Sequence, residues 1–240
     1  MKRSLICLTV LFAVGAYTHA QSTAPVQHSA HYSSLAAPTT DQIWASLMAG
    51  NKRFVAGRPQ SHDFVSLRHK LASGQQPHVI VLSCSDSRVP PELVFDQTLG
   101  ELFVIRTAGN VADPIGLGSV EYAVDHVHAS VLLVLGHQKC GAVIAARSGE
   151  NMPSRNLAAI VDKIEPAVTQ AKTYAKPDDL VESAIKENVH RSAQDLVANS
   201  EIVREAVKAG KLSVIEAVYQ FDSGEVVRRP QADKTEKFCA

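Results

Sequence analysis

Two groups of residues that could hold a metal ion follow two apolar runs of the sequence. Cys84 comes directly after the run 79–82 and one serine, and His137 and Cys140 come just after the run 131–135. In an open α/β sheet, ligands bind outside the carboxyl ends of the strands, so both groups are expected at one edge. Catalytic zinc takes three protein ligands, chiefly Cys, His and carboxylate, and leaves the fourth position to water. The sequence therefore predicts a zinc site.

A carboxylate and a guanidinium accompany the first of these groups, because Asp86 and Arg88 follow Cys84 at alternate positions. The carboxylate could close the site as a fourth ligand, or it could accept a hydrogen bond from a metal-bound water. A charge-assisted contact from Arg88 would hold Asp86 away from the metal. An open position would lower the pKa of a bound water to about 7. The alternatives without a catalytic role are a surface ion pair and a closed, structural zinc site.

Length and composition limit the class of protein. The chain has 240 residues, of which 45% are hydrophobic and 20% are charged, and its formal net charge is zero. That length allows one domain with a sizeable core. Without a concentrated block of like charge, the sequence predicts no binding to nucleic acid or to an anionic membrane.

The N-terminus has the pattern of a secretory leader. Lys2 and Arg3 precede a short apolar segment at 5–16, and Thr18 and Ala20 offer small residues for cleavage. We therefore expect a signal peptide at 1–20, a periplasmic or secreted protein, and no membrane attachment after cleavage. An uncleaved anchor is the other interpretation. The polar residues 21–38 are expected to form a flexible linker, 39–230 a single domain and 231–240 a mobile tail.

Cleavage of that leader would remove Cys7 and leave Cys84, Cys140 and Cys239. An odd number of cysteines in an exported protein allows one disulfide and one free thiol. The alternative is that Cys84 and Cys140 bind a metal as thiolates, with Cys239 uninvolved in the tail. The sequence leaves this choice open.

Alternating strand and helix patterns predict an α/β fold. We expect a central, mostly parallel sheet of four strands with an antiparallel edge strand, flanked by helices, and an N-terminal helical arm that carries Trp44. The apolar runs are continuous, as in a sheet covered on both faces. Strands are predicted at 78–83, 102–105, 131–135, 212–219 and 225–227, and helices at 40–56, 66–72, 115–128, 142–147 and 154–210, the last with breaks near Pro166 and Pro177.

Several motifs in order resemble those of the β-class carbonic anhydrases, in particular bacterial, exported members. The sequence CSDSRVP begins at Cys84 and GHQKCG at Gly136, with GELFVIRTAGN from Gly100 and SVEYA from Ser119 between them. The tripeptide ENV at Glu187 and the stretch 219–227 agree with the C-terminal part. The similarity covers about residues 40–230, and several ordered motifs are far more specific than one.

The resemblance implies a zinc lyase that reversibly hydrates carbon dioxide to bicarbonate and a proton by attack of zinc-bound hydroxide. One Zn²⁺ per chain would be held by Cys84, His137 and Cys140. Asp86 would be the fourth ligand in a closed form or the partner of the hydroxide in an open form, with Arg88 as its clamp. Some family members with a closed form carry Trp at the position of Val81, so the sequence favours the open form.

The resemblance also implies a substrate pocket shared between two subunits. Gln75 would donate a hydrogen bond to the substrate, and Phe103 and Tyr122 would line an apolar pocket, all three from across a homodimer interface. Two dimers could pair into a tetramer, and the helix of Trp44 would pack on the second subunit. The proton shuttle is not identified, since His126 and His128 fit the surface of a helix as well.

A second hypothesis belongs to another class of protein. The same three ligands could stabilise a binding protein or a thiol-redox protein that has no turnover. Zinc content and carbon dioxide hydration distinguish the two classes.

Overall fold

The computed structural model of the protein describes residues 37–230. The predicted signal peptide, almost all of the linker, the tail and Cys239 lie outside these residues. The described residues from Pro38 onward belong to one compact unit. None of the helices in the described part is long and apolar enough to cross a membrane.

One five-stranded sheet organises the described chain, and its strand order is β2-β1-β3-β4-β5. The first four strands run parallel and the last pairs antiparallel to β4. This is the predicted α/β fold with an antiparallel edge strand. The strands are β1 (Val79–Cys84), β2 (Leu102–Thr107), β3 (Val131–His137), β4 (Ser213–Tyr219) and β5 (Val226–Arg228).

The helices cover both faces of the sheet, which explains why β1 and β3 are buried along their whole length. The face with Val79 and Val81 packs against α1, and the face with Ile80 and Leu82 packs against the later helices. The helices are α1 (Thr40–Val55), α2 (Phe64–Lys70), α3 (Pro91–Val94), α4 (Pro114–Asp125), α5 (Gly141–Ser148), α6 (Arg155–Lys172), α7 (Leu180–Ala198) and α8 (Glu201–Lys208).

The N-terminal helix α1 packs on its own chain. Thr39 and Gln42 form a reciprocal capping box that fixes its start. Ile43 and Leu47 are then buried in the same apolar cluster as the sheet residues. Ile43 and Leu47 therefore have partners within the chain, and packing of this helix on a second subunit stays a prediction.

Three local expectations need correction. Helix α6 runs through Pro166 without a break, because Pro166 lies on the exposed face and the opposite face, with Ile164 and Val168, is buried. His126 and His128 lie beyond the last turn of α4, and His128 has a left-handed φ of 60°. Strand β3 extends to His137 instead of ending at 135, so the histidine belongs to the strand itself.

Candidate metal centre

The strand ends bring three ligand atoms together at the carboxyl edge of the sheet. Cys84 is the last residue of β1, His137 is the last residue of β3, and Cys140 caps the start of α5. Between the last two, Lys139 has a φ of 52°, which tightens the turn. The two sulfur atoms and a ring nitrogen all lie within 4.8 Å of one another, and all three residues are buried. This spacing fits one metal ion.

The histidine tautomer supports metal binding. His137 Nδ1 lies 2.8 Å from the Gln138 carbonyl oxygen, which can only accept, so Nδ1 carries the proton. Nε2 is left with a lone pair, and it is a buried atom without a hydrogen-bond partner in the described chain. A ligating histidine usually donates its other N–H to a carbonyl or carboxylate in this way. The donor set therefore fits zinc.

The two cysteines differ in proton affinity because their sulfur atoms are neighbours. The Cys140 thiol donates a hydrogen bond to Cys84, and this contact lowers the pKa of Cys84 against the opposing effect of burial. The same contact raises the pKa of Cys140, and burial adds to that increase. Cys84 therefore loses its proton more readily than Cys140 does. A bound cation would favour loss of the remaining proton, since metal ligands must be deprotonated.

Asp86 and Arg88 form a bidentate pair beside this cluster. Arg88 Nε donates to Asp86 Oδ1 at 2.9 Å, Arg88 Nη2 donates to Oδ2 at 2.7 Å, and the Arg88 backbone N–H donates to Oδ1 at 3.0 Å. The Arg88 contact holds the pKa of Asp86 well below its ordinary value. Asp86 is therefore an anion that accepts hydrogen bonds, and its Oδ2 lies 3.8 Å from His137 Nε2.

Arg88, which holds Asp86, is itself held by the aromatic ring of Phe221. The Arg88 guanidinium carbon lies 4.2 Å from the centroid of the Phe221 ring, a cation–π contact. The same ring meets His137 edge-on at a centroid distance of 5.6 Å. The Phe221 backbone N–H donates to the Gln138 side chain at 2.8 Å, which fixes the chain after β4. Phe221 therefore connects the carboxylate pair to the histidine.

Arg106 fixes the backbone of the loop that follows β1. From β2 it donates through Nε to the Cys84 carbonyl at 3.0 Å and through Nη2 to the Asp86 carbonyl at 2.5 Å. A rigid guanidinium that bridges two carbonyls limits how far this loop can move. Arg106 therefore helps to set where the Asp86 carboxylate lies relative to the metal ligands.

The structure does not bring Gln75, Phe103 or Tyr122 to the metal ligands of the same chain. Gln75 is exposed and lies before β1, whose six residues span about 17 Å at about 3.3 Å per residue. Phe103 pairs with Ile80, four residues before Cys84. Phe103 and Tyr122 do lie together, with ring centroids 6.1 Å apart, and Tyr122 is 49% exposed.

Sequence reasoning gave no role to Arg106 or Phe221. Arg106 stands near the end of a strand in a recognisable motif, so its position was a usable signal. Phe221 follows β4 in a stretch with no local pattern, and only the fold brings it over Arg88. Thr107 donates to the Val111 carbonyl at 2.7 Å and shapes the turn after β2.

Three candidate metal ligands at the carboxyl edge of a parallel sheet, with a carboxylate held by Arg88 beside them, form the kind of site that zinc-dependent α/β enzymes use. The carbonic anhydrase family model matches residues 79–226. The chain is 40% identical over 201 residues to carbonic anhydrase 2 of Mycobacterium tuberculosis, which covers 80% of this chain and 95% of the relative. The chain belongs to the β-class carbonic anhydrases.

Two further similarities agree with this assignment. The carbonic anhydrase of Mycolicibacterium smegmatis is 36% identical over 191 residues, covering 78% of this chain and 91% of the relative. The solved structure of a Coccomyxa β-carbonic anhydrase, a complex with acetazolamide, is 30% identical with a TM-score of 0.63 and covers 69% of this chain and 77% of that one. Zinc is the cofactor of this class of lyase, and a non-catalytic zinc or thiol-redox protein is not favoured.

Proposed function

We propose that the protein interconverts carbon dioxide and bicarbonate with a zinc ion held by Cys84, His137 and Cys140. The observation that carries this proposal is the bidentate Asp86–Arg88 pair next to three buried ligand atoms. A closed structural site would use the carboxylate as its fourth ligand. Here both carboxylate oxygens accept hydrogen bonds from Arg88, which supports an open, catalytic arrangement.

Zinc in such a site supplies a nucleophile at neutral pH by lowering the pKa of water. Asp86 orients the reacting water, because an anionic carboxylate can only accept its O–H. Oδ2 accepts one hydrogen bond from Arg88, can accept a further one, and lies 3.8 Å from His137 Nε2. A water held in this way would keep a lone pair free on the side away from Asp86, where it could attack the carbon of carbon dioxide. Arg88 keeps Asp86 charged and off the metal.

A disulfide would be the sign of the alternative function. The mass of the intact protein, measured with and without reduction, distinguishes a Cys84–Cys140 disulfide from two zinc thiolates. We expect one zinc per chain, no such disulfide, and hydration of carbon dioxide in a stopped-flow indicator assay. One zinc per chain with no rate above that of buffer would contradict the enzyme function.

We also propose that the active protein is at least a homodimer and that Gln75 binds substrate in the partner's site. The distance along β1 supports this, since Gln75 is too far from Cys84 of the same chain to reach it. Phe103 and Tyr122 would line the same shared pocket, and the exposure of Tyr122 and of Ile115 on α4 agrees with a covered interface. Sedimentation analysis distinguishes monomer, dimer and tetramer, and a monomer with full activity contradicts the proposal.

Gln75→Ala is expected to reduce kcat/KM for carbon dioxide about tenfold, the usual size of one lost hydrogen bond. Zinc content should not change, because Gln75 lies away from the ligands. A stopped-flow assay on metal-loaded protein measures the effect.

Co-expression of Gln75→Ala with Asp86→Asn tests whether Gln75 acts across the interface. In a mixed dimer, the metal site of the Gln75→Ala chain would receive Gln75 from its partner, so about half of the wild-type activity should return. The control is a mixed dimer of wild type and Asp86→Asn. If the activity of the mixed dimer does not exceed the average activity of the two single-variant dimers, Gln75 acts within one chain.

We propose export as well, on the pattern of Lys2, Arg3 and the apolar segment 5–16. The mature protein should then begin near Gln21 in a periplasmic or secreted fraction. N-terminal mass spectrometry of protein recovered from its native host measures this directly. A mature chain that retains residues 1–20 in the cytoplasm contradicts it.

A further inference from the structure

A buried amide side chain on α7 contacts the backbone next to the metal centre. Asn188 is 2% exposed and lies in the middle of that helix. Its Nδ2 donates to the carbonyl oxygen of Gly109 at 2.7 Å and lies 3.4 Å from Asn110 Oδ1. Burial of an amide costs free energy unless its hydrogen bonds are made. The bond to Gly109 is what offsets the burial of this polar side chain.

The residue that Asn188 holds is in direct contact with a metal ligand. The Gly109 backbone N–H donates to Cys84 Sγ at 3.2 Å. Gly109 has a φ of 74°, and a Cβ there would lie 2.6 Å from Ile164 Cδ1 and 3.0 Å from Ala142 Cβ. The glycine is therefore enclosed by side chains of α5 and α6, while Asn188 holds its carbonyl from α7.

The same turn of α7 also supports the second half of the centre. A Cβ on Gly136, the residue before His137, would lie 2.5 Å from Val189 Cγ2. Helix α7 thus approaches the backbone beside Cys84 through Asn188 and the backbone beside His137 through Val189. Two glycines make this close approach possible, one in each half of the site.

We infer that Asn188 is a positioning residue of the metal centre, which acts through Gly109 on the Cys84 sulfur. A hydrogen bond from an N–H to a thiolate stabilises its negative charge and reduces the charge that it donates to the metal. The inference rests on the proposed function, because it requires Cys84 to be a zinc ligand. Loss of the Asn188 contact should therefore change the metal–sulfur bond itself, whether or not turnover changes.

Asn188→Leu removes the donor and leaves a buried side chain of apolar character. Loss of an outer-shell partner typically costs 10–100-fold in metal affinity, so we expect the zinc Kd to rise about tenfold or more in chelator competition. In cobalt-substituted protein, the thiolate-to-cobalt charge-transfer band should shift. Leu196→Ala on the same helix, a buried apolar change two turns away, is the matched control and should leave the band in place.

An unshifted band and an unchanged zinc Kd in folded Asn188→Leu overturn the inference. If Asn188→Leu does not fold, the same zinc Kd and cobalt band are measured on Asn188→Ala. A measurement on the wild-type protein then tests the contact between Gly109 and the sulfur. In cadmium-113-loaded wild-type protein, the Gly109 amide proton should show a scalar coupling to the metal through the sulfur. A visible Gly109 amide without this coupling contradicts the inference. These experiments test only the role of Asn188. The proposed function is tested by zinc binding and carbon dioxide hydration of the wild-type protein, so the two can fail independently.

Discussion

Cys140→Ser is expected to lose zinc and carbon dioxide hydration together. A serine hydroxyl is not deprotonated at neutral pH, so the centre would keep only Cys84 and His137 as protein ligands. Cys140 is 1% exposed and caps the start of α5 beside the other two ligands. Activity should fall to the rate of buffer, measured by stopped flow with zinc content determined on the same sample.

Cys239→Ser is the matched control, because it is the same substitution in the tail and should leave both quantities unchanged. Circular dichroism verifies that the Cys140→Ser protein keeps its secondary structure. A folded Cys140→Ser protein with one zinc per chain and wild-type activity contradicts the assignment of Cys140 as a ligand.

Asp86→Asn is expected to keep its zinc and lose at least about a hundredfold in kcat, the lower range for a group that handles the reacting proton. Asparagine has nearly the same shape, but its amide donates where the carboxylate accepts. The bidentate charge-assisted contact with Arg88 is lost as well, since the Arg88 pair requires two acceptor oxygens. Metal content by mass spectrometry and stopped-flow rates measure the two effects independently.

Asp222→Asn controls for the loss of one negative charge near the site. Asp222 is an exposed partner of Lys139, with 3.2 Å between Nζ and Oδ1, and does not contact the ligands. Its kcat should stay at the wild-type value. An Asp86→Asn enzyme with normal turnover means that Asp86 does not orient the reacting water.

The sequence predicted the sheet and the ligand cluster because both depend on local patterns. Continuous apolar runs are typical of strands buried on both faces, and β1 and β3 are buried as expected. Parallel strands end at one edge, so Cys84 and His137 had to be neighbours once those strands were adjacent. The spacing of Asp86 and Arg88 likewise made a local contact possible within one loop.

The supporting contacts could not be predicted, because they join residues far apart in the chain. Asn188 and Gly109 are 79 residues apart, and no local pattern links them. Phe221 reaches Arg88 only after β4 has paired with β3. Pro166 illustrates the reverse case, since a local helix-breaking signal was overridden by the tertiary packing of α6. The role proposed for Gln75 requires a second subunit, so no contact within one chain could indicate it.

The most direct test of the zinc-dependent activity is one stopped-flow experiment on the wild-type protein in three states. Carbon dioxide hydration is measured on the zinc-loaded protein, after zinc is removed with a chelator, and after one equivalent of zinc is restored. We expect hydration well above the rate of buffer in the first state, loss of it in the second and recovery in the third. A rate that stays at the level of buffer with one zinc per chain, or that persists fully without zinc, would contradict the function assigned to Cys84, His137 and Cys140.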